Sequence, residues 1–361
     1  MIYLMNFRLS EKIVLICCFL TVYSVIEAQQ VITGRITDAT DGQPLPGAHI
    51  YFANTKTGAV SDALGNYKIT TPGVGSYEIV VSHAGYEPFF YKIEEPKSFH
   101  RIDAALKIRQ LSEVVVSVRN NYSWKDVKLF WILFLGVEPS KSGLEVLNPE
   151  KVYFFLSGDT VLSVTCKEPI EIVNHVMGYH IRYELQGFRY DYRTRRSEFS
   201  GKAFFEELSP RSDAQKRRWE RRRKEVYAVS LTHFVRSLYR DRLHAEGFLL
   251  AKRDSKPNQT SSLPLYETEQ IDSNQIRVKI NSALYLACYA KPITNYMIRN
   301  FHRSILDPKA KFPLTVLLPQ QIAMFSDGTY SGILEIHTYR GYLIGVSAMM
   351  PVEYAIQFES L

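Results

Sequence analysis

The sequence predicts an α+β protein: a small N-terminal β-sandwich followed by a mainly antiparallel β domain with inserted helices. Three observations carry that expectation. From Val31 to Tyr86, short β-branched and aromatic runs alternate with Gly, Pro, Asn and Asp clusters at near-regular intervals, the punctuation of a sandwich. From Asn148 to Phe205, further strand-like runs are separated by Gly158-Asp159, Glu168-Pro169, Gly178 and Gly187. Between and after these tracts, two stretches place apolar residues at helical spacing.

Met1 to Ala28 has the form of an export signal. Arg8 and Lys12 are basic, Ile13 to Val25 is apolar, and Ala28 precedes a plausible cleavage point. The apolar run falls short of the ~20 residues that span a bilayer. Cys17 and Cys18 follow Ile16, which is not the small residue that a lipoprotein signal wants, so lipidation is not expected. The mature chain would keep Cys166 and Cys288, either paired or as two buried thiols.

The sandwich is expected over residues 29–108. Its strands are Ile32–Thr37, Ala48–Ala53, Tyr67–Thr70, Tyr77–His83, Phe89–Ile93 and Ile102–Leu106, with a tight hairpin at Asp62–Asn66. A connector and helix follow over 109–143. Val127, Phe130, Trp131, Phe134 and Leu135 repeat at helical spacing within Asn121–Val137, which suits a helix buried under a sheet; an interfacial membrane contact is the alternative. Residues 144–361 form the larger domain. Strands are expected at Val152–Leu156, Val161–Cys166, Ile170–Val173, Tyr179–Leu185 and Phe188–Tyr192, the last two pairing about Gly187. Ser212–Tyr227 reads as a basic helix. A second helix, capped by Ser230 and stopped by Gly247, carries Leu231, Phe234, Val235, Leu238, Tyr239 and Leu243 as one apolar stripe. Beyond the polar loop Arg253–Ser262, strands are expected at Gln275–Ile280, Leu284–Tyr289, Thr315–Leu318, Ile333–Thr338 and Leu343–Ala348, with a turn at Asp327-Gly328.

The order of punctuation in 31–86 resembles the carboxypeptidase-regulatory-like domain, a transthyretin-like, Ig-like sandwich common in bacterial envelope proteins. The segment Gln110–Val118 is similar to the one that follows this sandwich in TonB-dependent receptors. A barrel of ~22 strands cannot fit between Arg119 and Leu361, so a complete transporter is not expected. Trp124, Asn148-Pro149-Glu150, Gly178-Tyr179, Arg218-Trp219, His233 to Tyr239, Glu246-Gly247-Phe248 and Pro351 to Tyr354 also resemble bacterial envelope proteins named only for that first domain. The resemblance implies an exported protein, periplasmic or outer-membrane associated in a Gram-negative bacterium. It implies no activity.

The residues themselves supply no reaction. Zinc carboxypeptidase chemistry needs a His and a Glu three apart, and none of the nine histidines has Glu three residues later; His-Glu-x-x-His is absent as well. No Gly-x-Ser-x-Gly elbow and no phosphate-binding Gly-rich loop occurs. The chain is therefore expected not to be an enzyme and to use no cofactor or metal. Its charge is the informative feature. Arg182–Arg242 holds 17 basic and 9 acidic residues in a chain of net charge +7, so essentially the whole excess sits in one block.

The expected function is an exported, non-catalytic envelope binding or scaffolding protein. Its partner would be an envelope protein or an anionic glycan, not nucleic acid, with peripheral membrane contact as a further option. Candidate binding residues are Trp219, Arg222, Arg223, His233, Arg236 and Tyr239. His233, Arg236 and Arg240 share one helix flank and could face a common ligand. The bland alternative packs His233 locally and pairs Arg236 with Glu206 or Glu207. The rival functions are a hydrolase of unfamiliar type that uses His233 with those carboxylates, or a component associated with outer-membrane transport.

Overall fold

A computed structural model describes residues 30–73, 75–93, 99–109, 122–137, 143–158, 160–252, 264–289, 291–294, 297, 314–317, 320–331, 336–340, 346 and 349–354. The expected export signal, the connector Gln110–Val118, the loop Arg253–Ser262 and most of the expected strand Leu343–Ala348 lie outside these residues. The fold is α+β, mostly antiparallel sheet with few helices, and it is organised around three main hydrophobic clusters.

The first cluster belongs to the N-terminal sandwich. Its strands are β1 (Val31–Asp38), β2 (His49–Phe52), β3 (Gly58–Val60), β4 (Asn66–Thr70), β5 (Tyr77–Ser82), β6 (Phe89–Ile93), β7 (Phe99–Arg101) and β8 (Ala104–Leu106). One sheet runs β4-β1-β7 with β8 also on β1, and the other runs β3-β2-β5-β6. Period-two alternation sends Ile32 and Ile36 of β1 inward against Ile50, Phe52, Ile79 and Val81. The expected strand Ile102–Leu106 is broken, because at residue 103 a side chain replaces the backbone ladder: the Asp103 carboxylate accepts from Arg35 N at 2.8 Å. The Asp62–Asn66 turn forms, with Asp62 Oδ1 accepting from Leu64 N and Asn66 N at 2.9 and 2.8 Å. It is an arch rather than the expected hairpin, since β3 and β4 lie in different sheets. Gly65 sits there at φ 77, and a Cβ would meet the Ile36 carbonyl oxygen at 2.3 Å.

The second cluster is a six-stranded sheet under a helix. Helix α1 (Trp124–Leu135) starts at a Ser123/Asp126 capping box and ends at Gly136. It is followed by β9 (Leu144–Val146), β10 (Val152–Ser157), β11 (Val161–Cys166), β12 (Ile170–Asn174), β13 (Tyr179–Asp191) and β14 (Arg196–Glu207). Phe130 and Phe134 of α1 are fully buried and meet Phe154, Tyr183 and Phe188 with ring centroids 5.4, 5.1 and 4.9 Å apart. The helix is thus a core helix. Strand β13 is the spine: β12 and β11 pair with its two halves, and β14 pairs along its full length. The expected pairing about Gly187 is corrected here. Tyr179–Asp191 is one strand, and the register shifts between Leu185 and Gly187, so the glycine marks a β-bulge, a common place for glycine inside a strand.

Two helices follow, α2 (Asp213–Tyr227) and α3 (Leu231–Tyr239), and lead to a two-sheet unit. Its strands are β15 (Phe248–Lys252), β16 (Tyr266–Gln270), β17 (Gln275–Ile280), β18 (Leu284–Cys288), β19 (Leu314–Leu317), β20 (Gln320–Phe325), β21 (Tyr330–Ser331) and β22 (Ile336–Arg340). The sheets are β15-β18-β19-β22 and β16-β17-β20-β21. Phe234 and Leu238 of α3 join Phe248, Val278, Leu286 and Met324 in the third cluster. Ser230 caps α3, accepting from His233 N at 3.1 Å. The helix stops at Tyr239 rather than Gly247, because the chain turns at Asp241 with φ 54; Leu243 reaches the core from that turn instead of from the helix. Cys166 and Cys288 are free thiols in different clusters, and burial pushes each up to about 12.

The turn after β2 ties the sandwich to the central sheet and to the segment near the C-terminus. Asn54 N donates to Ala203 O at 2.7 Å and Phe205 N donates to Thr55 O at 3.0 Å, which ties the sandwich to β14. Near the C-terminus, Val352 N donates to Asn54 O at 3.0 Å, and Glu353 Oε1 accepts from Lys56 N and Thr57 Oγ1 at 2.8 and 2.9 Å. Beside that turn, Tyr77 Oη donates to Asp327 at 2.7 Å and Ser76 N donates to Thr329 Oγ1 at 3.0 Å, which ties the sandwich to the two-sheet unit.

Candidate functional site

Helix α2 has one buried face and one charged face, and the buried face is built from Trp219, Arg223, Val226 and Tyr227. Trp219 donates from Nε1 to His175 O at 2.8 Å and lies flat on Gly178. Gly178 has φ 71, and a Cβ there would meet the indole at 2.3 Å, so this position needs glycine for both backbone and packing. Arg223 donates to Met177 O at 2.7 Å, Gly178 O at 3.1 Å and Glu207 at 3.2 Å, and its guanidinium stands 4.0 Å over the Tyr179 ring. Trp219 and Arg223 therefore dock the helix onto the sheet. Arg222 is exposed and pairs with Glu225 at 3.0 Å. The outward row is Lys216, Arg217, Arg218, Arg221 and Arg222.

Helix α3 contributes the other wall. The His233 ring is held between two acceptors, Ala228 O at 3.1 Å from Nδ1 and Glu246 Oε2 at 3.3 Å from Nε2, and it packs on Tyr227 and Phe248. Arg236 is 4% exposed and donates to Tyr227 Oη at 3.3 Å. Tyr239 lies apart and donates to Ser273 O. The expected links to the sheet carboxylates are corrected. Glu207 takes Lys56 and Arg223, and Glu206 takes His180, so Glu246 is the carboxylate beside His233.

Between α2, α3 and the 240–246 turn lies a cleft of ≈ 540 Å³. Its described lining carries Lys224, Arg236, Arg240, Arg242 and Lys291 with the His233 ring beside them, and among the described residues its carboxylate is Glu246. Glu246 is already shared between His233 and Arg242, the latter at 3.5 Å. Ser237 also lines the cleft, but its hydroxyl donates to His233 O at 2.7 Å, one turn back, with no base positioned on it. The arrangement can attract and orient an anion. Of the six expected residues, the cleft brings together His233 and Arg236 only. Arg242 and Lys291 lacked any local sequence signal, since a turn and a loop after β18 deliver them, and Glu246 stood out only within Glu246-Gly247-Phe248. Arg240 was legible from its helix flank, and Lys224 only as one of a charge run.

A second cavity of ≈ 760 Å³ opens where the three parts meet, lined by Tyr77, Phe199, Val229, Leu286 and Met350 among others. Among the described residues, no group of three or more His, Cys, Asp or Glu is placed to hold a metal ion. No described helix is long and apolar enough to cross a membrane.

The N-terminal unit is thus a β-sandwich module joined to a larger β-rich body. Residues 32–116 match the family model of the CarboxypepD_reg-like domain, and the chain carries that domain there. The match runs past 108 into the connector. The chain is also similar to TonB-dependent receptor P39 of Formosa agariphila, 38% identical over 93 residues, which is 25% of this chain and 8% of the receptor. It therefore spans a small part of that relative's length. Solved structures similar to it include a type II cohesin–X-dockerin complex from Acetivibrio cellulolyticus (18% identity, 20% of this chain and 51% of that one, TM-score 0.18) and the Bacillus anthracis TIE protein (13% identity, 50% and 32%, TM-score 0.19). Scores this low establish no common overall fold.

Proposed function

We propose that this protein is an exported, non-catalytic cell-envelope binding protein, and that α2 with its adjoining cleft is the face that meets the ligand. The observation that carries the proposal is the convergence of Lys224, Arg236, Arg240, Arg242 and Lys291 on a single cleft, with Glu246 as the carboxylate among its described residues, on the helix that also carries the outward basic row. A concave surface rich in cationic side chains focuses its field and raises the local concentration of oppositely charged partners. The partner is an anionic glycan of the envelope; an acidic envelope protein would meet the same chemistry. Export and an envelope location, periplasmic or outer-membrane associated in a Gram-negative bacterium, are supported by the signal-like residues 1–28, the CarboxypepD_reg-like domain and the similarity to a TonB-dependent receptor. Because α1 spends its apolar face on the core, membrane contact would run through the basic surface rather than through that helix.

The test is affinity electrophoresis of the purified chain through gels with and without polygalacturonate. The wild type is expected to be retarded, and Arg217→Glu/Arg218→Glu/Arg221→Glu is expected to lose that retardation. These three side chains are exposed, so the fold should persist. Equal migration of both proteins through the polygalacturonate gel would count against the proposal.

A further inference from the structure

The second cavity shares no described lining residue with the basic cleft and is built from different material. Phe199, Met349 and Met350 pack against the cluster under the central sheet, and Val229, Leu231 and Leu286 belong with the cluster of the two-sheet unit. All six line this one space, and all but Leu286 stay half-buried. Protein interiors are close-packed, and closing the gap would remove apolar surface from water. Hydrogen bonds across the junction hold it open. Tyr77 Oη reaches Asp327 at 2.7 Å, Ser76 N reaches Thr329 Oγ1 at 3.0 Å and Val352 N reaches Asn54 O at 3.0 Å. Tyr77, Ser76, Thr329, Val352 and Asn54 all line the same cavity, which is therefore preformed. Its ≈ 760 Å³ falls within the roughly 300–1,000 Å³ of small-molecule sites.

We infer that this cavity binds a single-chain amphiphile: an aliphatic chain bearing an uncharged, hydroxylated head, as in a monoacylglycerol.

The charges of the lining decide the head. Glu78 of β5 and Lys202 of β14 pair with each other across the junction, and Lys92 of β6 donates to Ser331 Oγ at 3.0 Å. A charged head would have to break the Glu78–Lys202 pair or enter without a partner, and both are costly away from water. Ser230, Thr232 and Tyr330 bring hydroxyls to the lining, and a hydroxyl can both donate to and accept from another. The wall decides the tail. The unbranched thioethers of Met349 and Met350 adapt to a flexible chain, while Val229, Leu231 and Leu286 present branched aliphatic surface to it.

The test is displacement of N-phenyl-1-naphthylamine, whose fluorescence rises in apolar sites, from the purified chain. 1-Monodecanoylglycerol, kept below its micelle-forming concentration, is expected to displace it saturably, and glycerol is expected not to. Decanoate and decyltrimethylammonium carry charged heads and are expected to bind at least about tenfold more weakly than 1-monodecanoylglycerol. Val229→Trp and Met350→Trp add bulk at half-buried wall positions and are expected to weaken 1-monodecanoylglycerol binding about tenfold or more, with folding checked by urea unfolding. The wild type gives a second reading that needs no variant. Cys288 lines the cavity, whereas Cys166 packs in another cluster. 1-Monodecanoylglycerol is therefore expected to slow maleimide labelling of Cys288 severalfold and to leave Cys166 unchanged, as located by peptide mass mapping. No saturable displacement, equal binding of the charged amphiphiles, or unaltered labelling of Cys288 would each overturn the inference. Arg217→Glu/Arg218→Glu/Arg221→Glu is expected to keep 1-monodecanoylglycerol binding while losing its retardation by polygalacturonate, so the two sites fail separately; loss of both in that variant would place the amphiphile on the basic row and overturn the cavity assignment.

Discussion

Arg182 and His49 show how single residues tie the sandwich to the central sheet, with His180 beside them on that sheet. His180 Nε2 lies 2.8 Å from Glu171, within ion-pair reach though not aligned as a hydrogen bond, and Nδ1 bonds Glu206 at 2.9 Å. Glu171 first, and Glu206 with it, hold His180 above its usual 6.5, against the opposing effect of burial. Arg182 bonds Glu171 at 3.1 Å and His49 Nδ1 at 2.9 Å across the interface. Burial, then the Arg182 charge, hold His49 below 6.5. The two histidines therefore act in opposite senses. The His180 contribution is complete below about pH 6.5 and fades as pH rises through its elevated folded value; that of His49 is present above about pH 6.5 and fades as pH falls. His180→Gln should thus destabilise more at pH 5.5 than at pH 8.5 in urea unfolding, and an equal loss at both would refute this assignment. At Gly178, Ala would face both a left-handed backbone and the Trp219 ring, for an expected loss of about 2–4 kcal/mol, read by the same titration.

At the scale of elements, α3 depends on its cap. Ser230→Ala removes the acceptor for His233 N and should cost about 1 kcal/mol in chemical denaturation. Ser230→Asp, which keeps an acceptor, should restore most of it. This cap was legible in the sequence, as were α2 and the inward face of α1, because apolar spacing and a start signal act over one or two turns of chain. What stayed hidden was whatever depends on a distant partner. Gly187 looked like a turn because a bulge and a turn both favour glycine, and only pairing with β14 distinguishes them. Strands β3, β7, β9, β14, β15, β16, β20 and β21 were not anticipated: β3, β7, β9 and β21 are too short to show a period, and β16 is nearly all exposed. The candidate site divided the same way. The His233–Arg236–Arg240 flank follows from helix geometry, whereas Glu246 and Lys291 arrive by tertiary folding. Arg223 resembled its exposed neighbours in the basic run, yet it is buried over Tyr179, three residues before the equally buried Val226.

Across the whole molecule, the Asn54–Thr57 turn is bonded both to β14 and to the Val352–Glu353 segment, while Tyr77 and Ser76 bond the Asp327–Thr329 turn. Interfaces bonded at this many points should make the parts unfold together. Calorimetry of the purified chain should give one transition with matching calorimetric and van't Hoff enthalpies; two resolved transitions would show that the parts are independent. This rigidity suits a protein that presents a fixed charged surface, and no assembled nucleophile–base pair competes with that role among the described residues lining the cleft. The central claim is binding of an envelope anion without turnover. It is tested most directly by titrating the purified chain with size-defined polygalacturonate oligomers, then recovering the ligand and measuring its mass. Saturable binding that weakens steeply with added salt, with every oligomer recovered intact, is the predicted result. Shortened oligomers, or no binding at low ionic strength, would contradict it.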